Sequence, residues 1–131
     1  ASTKLDDDFL RVPKLEVTGT NWVVYKDRFI WPIDVRGLTE HIEDGAGAPA
    51  DPINRAPDAD PLTAAQKKQE EEWKKELKTW KQGEAVVKQQ IAGTIPYSLF
   101  MKIRNKSTAL EIWKALGDEF QKKSRMVSVD L

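Results

Sequence analysis

The chain has no cysteine, which excludes disulfides, thiol nucleophiles and thiolate metal sites at once. It has a single histidine, His41, so no two-histidine metal centre can be built. No apolar run approaches the roughly eighteen residues of a membrane span. The opening ASTKLDDDFL lacks the basic-then-apolar order of a signal peptide, and its start at Ala1 suggests a processed or engineered fragment. The seven glycines fall into no phosphate-cradling pattern. VTGT at 17–20 resembles the Asp-Thr-Gly of an aspartic protease, but Val17 stands where the carboxylate is required. An excess of either charge is also missing. Lys plus Arg and Asp plus Glu number 21 each, so nothing in the net charge argues for nucleic acid or an anionic membrane as main partner. These absences leave no catalytic residue, metal ligand or cofactor site, and an enzyme is not expected.

What remains is a highly charged globular composition, 40% hydrophobic and 32% charged, in 131 residues, enough for one core. Residues 1–12 read as a flexible acidic arm, from which Leu10, Val12 or the nearby Leu15 could dock, and residues 13–131 as one helical lobe. In the lobe, Trp22, Tyr25, Phe29 and Ile33 recur at helical spacing behind Thr20 or Asn21 as N-cap. Pro32 interrupts that pattern. Inside a helix it removes one hydrogen bond and crowds a carbonyl, at a cost of about 3 kcal/mol. A bend or break at residues 30–32 is therefore expected, with a restart at Pro32 and a stop at Gly37. GLTEHIEDG follows as a short helix closed by Gly45.

Residues 44–61, DGAGAPADPINRAPDADP, contain four prolines, two glycines and four aspartates, a composition expected to form an exposed, disordered or irregular loop. The longest helix follows, with Asp60–Pro61 and the Thr63/Gln66 capping box as rival starts and Gly93 as terminator. Trp73, Leu77, Trp80, Val87 and Ile91 mark its inner stripe, which Glu84 interrupts. A helix around TIPYSLFMKIRN turns Ile95, Leu99 and Ile103 inward. The last begins at the Thr108/Glu111 capping box, shows Ile112, Trp113, Leu116 and Phe120 to the core, and carries Lys122 and Lys123 at its C-terminal end. Period-two alternation is confined to MVSVDL. The expected fold is all-α, a compact bundle of about five helices.

His41, flanked by Glu40 and Glu43, reads as a solvated residue, and the acidic clusters Asp6–Asp8 and Glu70–Glu72 as solvated faces. Four of the five tryptophans lie on apolar stripes and read as core. Trp31 does not, and with Pro32 it is the candidate to face a partner.

Two blocks, PKLEVTGTNWVVYKDRFIWPIDVRGLTEHIEDG and EAVVKQQIAGTIPYSLFMKIRNKSTALEIWKALGDEFQKKS, separated by the acidic insertion and a charged helix, resemble the N-terminal Gag region of copia-type LTR retrotransposons, particularly those of fungi. Gly19, Thr20, Asn21, Trp22 and Tyr25 carry the likeness, with Gly37 and Leu38, and with Thr108, Ala109, Trp113, Leu116 and Phe120. Phe29, Ile91 and Leu99 complete the expected core. The sequence departs from the pattern at Trp31–Pro32, where relatives carry ordinary helix formers. The resemblance implies a retroviral capsid N-terminal-lobe-like bundle that self-assembles in the cytoplasm into particles around the element's RNA, with the RNA held by a region absent from this chain. A domesticated Gag-derived module that binds a protein or peptide partner is the alternative.

Overall fold

A computed structural model describes the backbone of residues 13–130 and the side chains of residues 13–121. The arm at 1–12, with Leu10 and Val12, and the lysines at 122 and 123 lie outside the described backbone or side chains. The described residues form four α-helices and one 3₁₀ helix, with no strand: α1 (Trp22–Val35), the 3₁₀ helix (Thr39–Ile42), α2 (Ala64–Thr94), α3 (Tyr97–Ile103) and α4 (Ala109–Asp130). The all-α expectation holds, and the part of the MVSVDL alternation within the described backbone, residues 126–130, is helical.

Of the bend or break expected at residues 30–32, the break and the restart at Pro32 do not occur. α1 runs unbroken through Pro32. Pro32 forfeits the bond to the Arg28 carbonyl, one turn before the helix ends, while its own carbonyl still accepts from Arg36 N–H at 3.3 Å. The Pro32 ring and the next residue, Ile33, are both buried, so packing offsets the lost bond. The helix then stops where expected. Leu38 N–H donates to Ile33 O at 3.0 Å and Gly37 N–H to Asp34 O at 2.9 Å around Gly37 at φ +71°, a Schellman end.

Asn21 precedes α1 but makes no side-chain cap. Its amide is used elsewhere, donating to Lys14 O and accepting from Glu16 N–H, each at 2.9 Å. These bonds hold the incoming chain, and Leu15 N–H donates to Thr94 O at 2.8 Å, tying that segment to the end of α2. Gly19 is indispensable in this turn. It sits at φ +75°, and a Cβ there would lie 2.1 Å from the Phe120 ring.

Between the rival starts of α2, Thr63 is the one used. Its hydroxyl accepts from Gln66 N–H at 3.1 Å while the Gln66 side chain accepts from Thr63 N–H at 2.9 Å. Gly93 does not end the helix, which continues to Thr94 and stops where Ile95 turns extended before Pro96. At α4, Glu111 N–H donates to Thr108 Oγ1, but the reciprocal carboxylate takes Ser107 N–H rather than that of Thr108.

The core joins Leu15 to Trp22, Tyr25, Phe29 and Ile33 of α1, Val87 and Ile91 of α2, Leu99 and Ile103 of α3, and Ala109, Ile112, Leu116 and Phe120 of α4. Its centre is aromatic. Phe29 stacks on the half-buried Trp113 at 4.9 Å between ring centroids, and Trp22 on Phe120 at 5.7 Å. Up to Gln82, α2 contributes no fully buried side chain. Trp73, Leu77 and Trp80, expected on the core stripe, are only half-buried.

The 44–61 segment lies over the first half of α2. It is irregular, as composition requires, yet anchored. Trp73 Nε1 donates to Pro49 O at 3.0 Å, Ile53 is buried, and Arg55 bridges Asp51 and Glu70 at 2.9 and 3.0 Å.

Candidate functional site

The 3₁₀ helix packs against α1, α2 and α4, and His41 is its buried residue. The expectation of a solvated histidine is wrong: His41 is 2% exposed. Its Nδ1–H donates to Glu84 Oε2 at 2.7 Å, and Glu84, 4% exposed, is the charge that interrupts the apolar stripe of α2. The other carboxylate oxygen accepts from Ala109 N–H at 3.1 Å. That N–H belongs to the first turn of α4, where no carbonyl within the helix can serve it, and where the helix dipole favours an anion. One carboxylate thus joins the 3₁₀ helix, α2 and α4.

The clamp is tightly fitted. A Cβ at Gly83 would lie 2.2 Å from His41 Nε2, so the ring can sit there only because residue 83 has no side chain. The ring of Trp80 lies 5.9 Å from the imidazole on the adjacent turn of α2. Both oxygens of Glu84 are occupied by protein donors. Buried and bonded across three elements at once, the carboxylate suits a structural clamp. Among the described residues no group of three or more His, Asp or Glu side chains could hold a metal ion. No described helix is long and apolar enough to cross a membrane.

The remaining residues singled out in the sequence divide cleanly by position. Trp22, Tyr25, Phe29, Ile91, Leu99, Leu116 and Phe120 are buried, Leu38 and Trp113 pack partly buried against them, and Gly37 forms the exposed turn after α1. Burial pushes the Tyr25 hydroxyl well above its ordinary pKa, against the lowering effect of its hydrogen bond with Thr94. Pro32 is also buried, so of the pair expected to face a partner only Trp31 reaches solvent, at 66% exposure. Two valines that sequence reasoning passed over accompany it: Val24 and Val35 are 57% and 64% exposed. At 100° per residue, Val24, Arg28, Trp31 and Val35 share one side of α1, opposite the buried Trp22, Phe29 and Ile33. The signal was their spacing, masked by the stronger inward stripe. α1 is apolar on both sides.

The buried His41–Glu84 pair of this helical lobe is spent on holding helices together, and α1 offers solvent an apolar face. The chain belongs to the family of gag-polypeptides of LTR copia-type, whose model matches residues 33–131. The matched span includes Gly37, Leu38 and the Thr108–Phe120 block, while the Gly19–Tyr25 block precedes it. No curated protein and no solved structure matches the chain.

Proposed function

We propose that this lobe is a capsid building block of a copia-type Gag polypeptide, assembling in the cytoplasm through lobe–lobe contacts into a particle that packages the element's RNA. Membership of the Gag family across 33–131 is the observation that carries the reading. The physical properties suit it. A chain with zero formal net charge can pack beside its copies without long-range repulsion, leaving RNA contacts to another part of the polypeptide. Individual contacts can be weak, because many identical ones act together in a closed shell.

The test is to express the longest open reading frame containing this chain and examine the product by sedimentation and electron microscopy. Particles holding nuclease-resistant RNA are expected. A product that stays monomeric at every concentration would sink the reading. A peptide-binding module draws support from an open hollow of about 510 Å³ beside Trp80, bordered by Gly47, Pro49 and Thr79. It predicts instead a ligand of fixed stoichiometry that shifts Trp80 fluorescence without particle formation.

A further inference from the structure

We infer that the outward face of α1 is a self-contact: two copies meet antiparallel about a two-fold axis, with Val24 of each against Val35 of the other and Arg28 of each over Trp31 of the other. This deepens, and rests on, the assembly function proposed above.

The spacing comes first. Residues 24, 28, 31 and 35 follow steps of four, three and four, the pattern that keeps a seam of side chains facing a second helix. They form a ridge about 16 Å long, at 1.5 Å per residue. Val24, Trp31 and Val35 are each more than half exposed, and Arg28 is exposed between them. Three large apolar side chains aligned on the far side of a core helix are unusual for a face meant only for water.

Charge then selects both occupant and orientation. A parallel pair would bring Arg28 against Arg28 and leave a like-charge repulsion at the centre of the seam. Antiparallel pairing about the midpoint of the ridge places 24 opposite 35 and 28 opposite 31. Each guanidinium then lies over an indole, a favourable cation–π arrangement made twice by the symmetry. The surface is complementary to itself in this one orientation, which no unrelated partner is needed to explain.

Size sets the strength. Four side chains per copy cover far less than the roughly 1,200 Å² of total buried surface at the low end of stable interfaces. The isolated contact is therefore weak and short-lived, and it becomes effective only when repeated through an assembly.

The absence of native cysteine makes a direct test available, since any introduced thiol is the only one in its chain. Val24→Cys and Val35→Cys versions of the 131-residue chain are mixed and mildly oxidised, with exposed Ser98→Cys on α3 as the control for random collision. Mixed disulfides between the two variants are expected several-fold in excess over either homodimer and over the control. Adding Arg28→Glu or Trp31→Ala to both chains should reduce them to the control level, with helical circular dichroism unchanged. Homodimers in excess would overturn the antiparallel pairing, and no excess over the control would overturn the contact itself. Slow thiol labelling of Val35→Cys at high dilution would also overturn it, because the face would then be covered by the chain's own residues.

Particles separate this inference from the function beneath it. In the long open reading frame, particles from wild type but not from Trp31→Ala support the contact. Particles from both overturn its role while assembly stands, and particles from neither overturn the assembly function and this inference together.

Discussion

His41 Nδ1 lies 2.7 Å from Glu84 Oε2 across 43 residues of sequence, in a pair buried on both sides. Removing one partner of such a pair leaves the other desolvated and unserved, whereas a polar isostere retains most of the bonding. His41→Ala is expected to destabilise the lobe by about 3 kcal/mol. Glu84→Gln should cost less, because its amide oxygen can still accept from Ala109 N–H. Combining His41→Ala with Glu84→Ala should give less than the sum of the single effects, since the two act as one unit. Chemical denaturation of wild type, the three single variants and the double variant measures this, and a His41→Ala protein as stable as wild type would refute the clamp.

Two glycines of α2 should respond to the same substitution with opposite signs. Inside a helix, alanine normally gains about 0.5–1 kcal/mol over glycine. Gly93 has nothing within 4 Å of where a Cβ would be, so Gly93→Ala is expected to raise the melting temperature. At Gly83 the added atom would meet the His41 ring at 2.2 Å. Gly83→Ala should therefore destabilise despite its better propensity, by about 1–3 kcal/mol. If both substitutions stabilise, the imidazole is not packed against Gly83.

The helices were legible because their signals are local. Capping residues at Thr63 and Thr108, the stop at Gly37 and the stripe from Trp22 to Ile33 each act within a few residues of chain. The clamp was not legible, because burial of His41 depends on a helix 43 residues away and on the missing side chain at Gly83. The only trace was Glu84 in an apolar stripe, a charge whose position demanded a partner. Pro32 misled for the opposite reason: its local cost is real, but packing of its own ring and of Ile33 outweighs it. The loop misled in part. Composition correctly excluded regular structure there, but it could not show that Trp73 and Arg55 anchor the segment, and the family likeness carried no information about that contact.

Acid should release that loop before it unfolds the lobe. The hydrogen bond from Arg55, then that from Ile53 N–H, holds Asp51 below its ordinary pKa, and Lys74 first and Arg55 next lower that of Glu70. Carboxylates with lowered folded-state values lend stability that is present above the unfolded value and disappears as pH falls through the folded one. The anchor should therefore persist at neutral pH and loosen below about pH 4. Faster amide exchange at Ile53 and a shift of the Trp73 indole N–H signal would report it. Arg55→Ala should move both readouts toward the released state at neutral pH, and readouts that stay flat down to global unfolding would count against the anchor.

Alkali should act through Tyr25. Its hydroxyl lies 2.7 Å from Thr94 Oγ1, and Thr94 Oγ1 also lies 2.8 Å from Gln90 O, so the two hydroxyls share one buried hydrogen-bonded chain. Desolvation by burial raises its pKa, outweighing the lowering effect of Thr94. With the folded value raised, the native lobe keeps this proton after the unfolded chain has begun to lose its own. Stability from this group is thus complete below the unfolded value near 10 and declines as pH rises beyond it, by at most about 1.4 kcal/mol per pH unit. Tyr25→Phe should cost about 1 kcal/mol at neutral pH by removing the hydrogen bond. It should also flatten the alkaline decline relative to wild type, so the two stability curves converge as pH rises above 10. Denaturant midpoints measured from pH 7 to 11 test both parts, and curves that remain parallel would show that Tyr25 is not the group responsible.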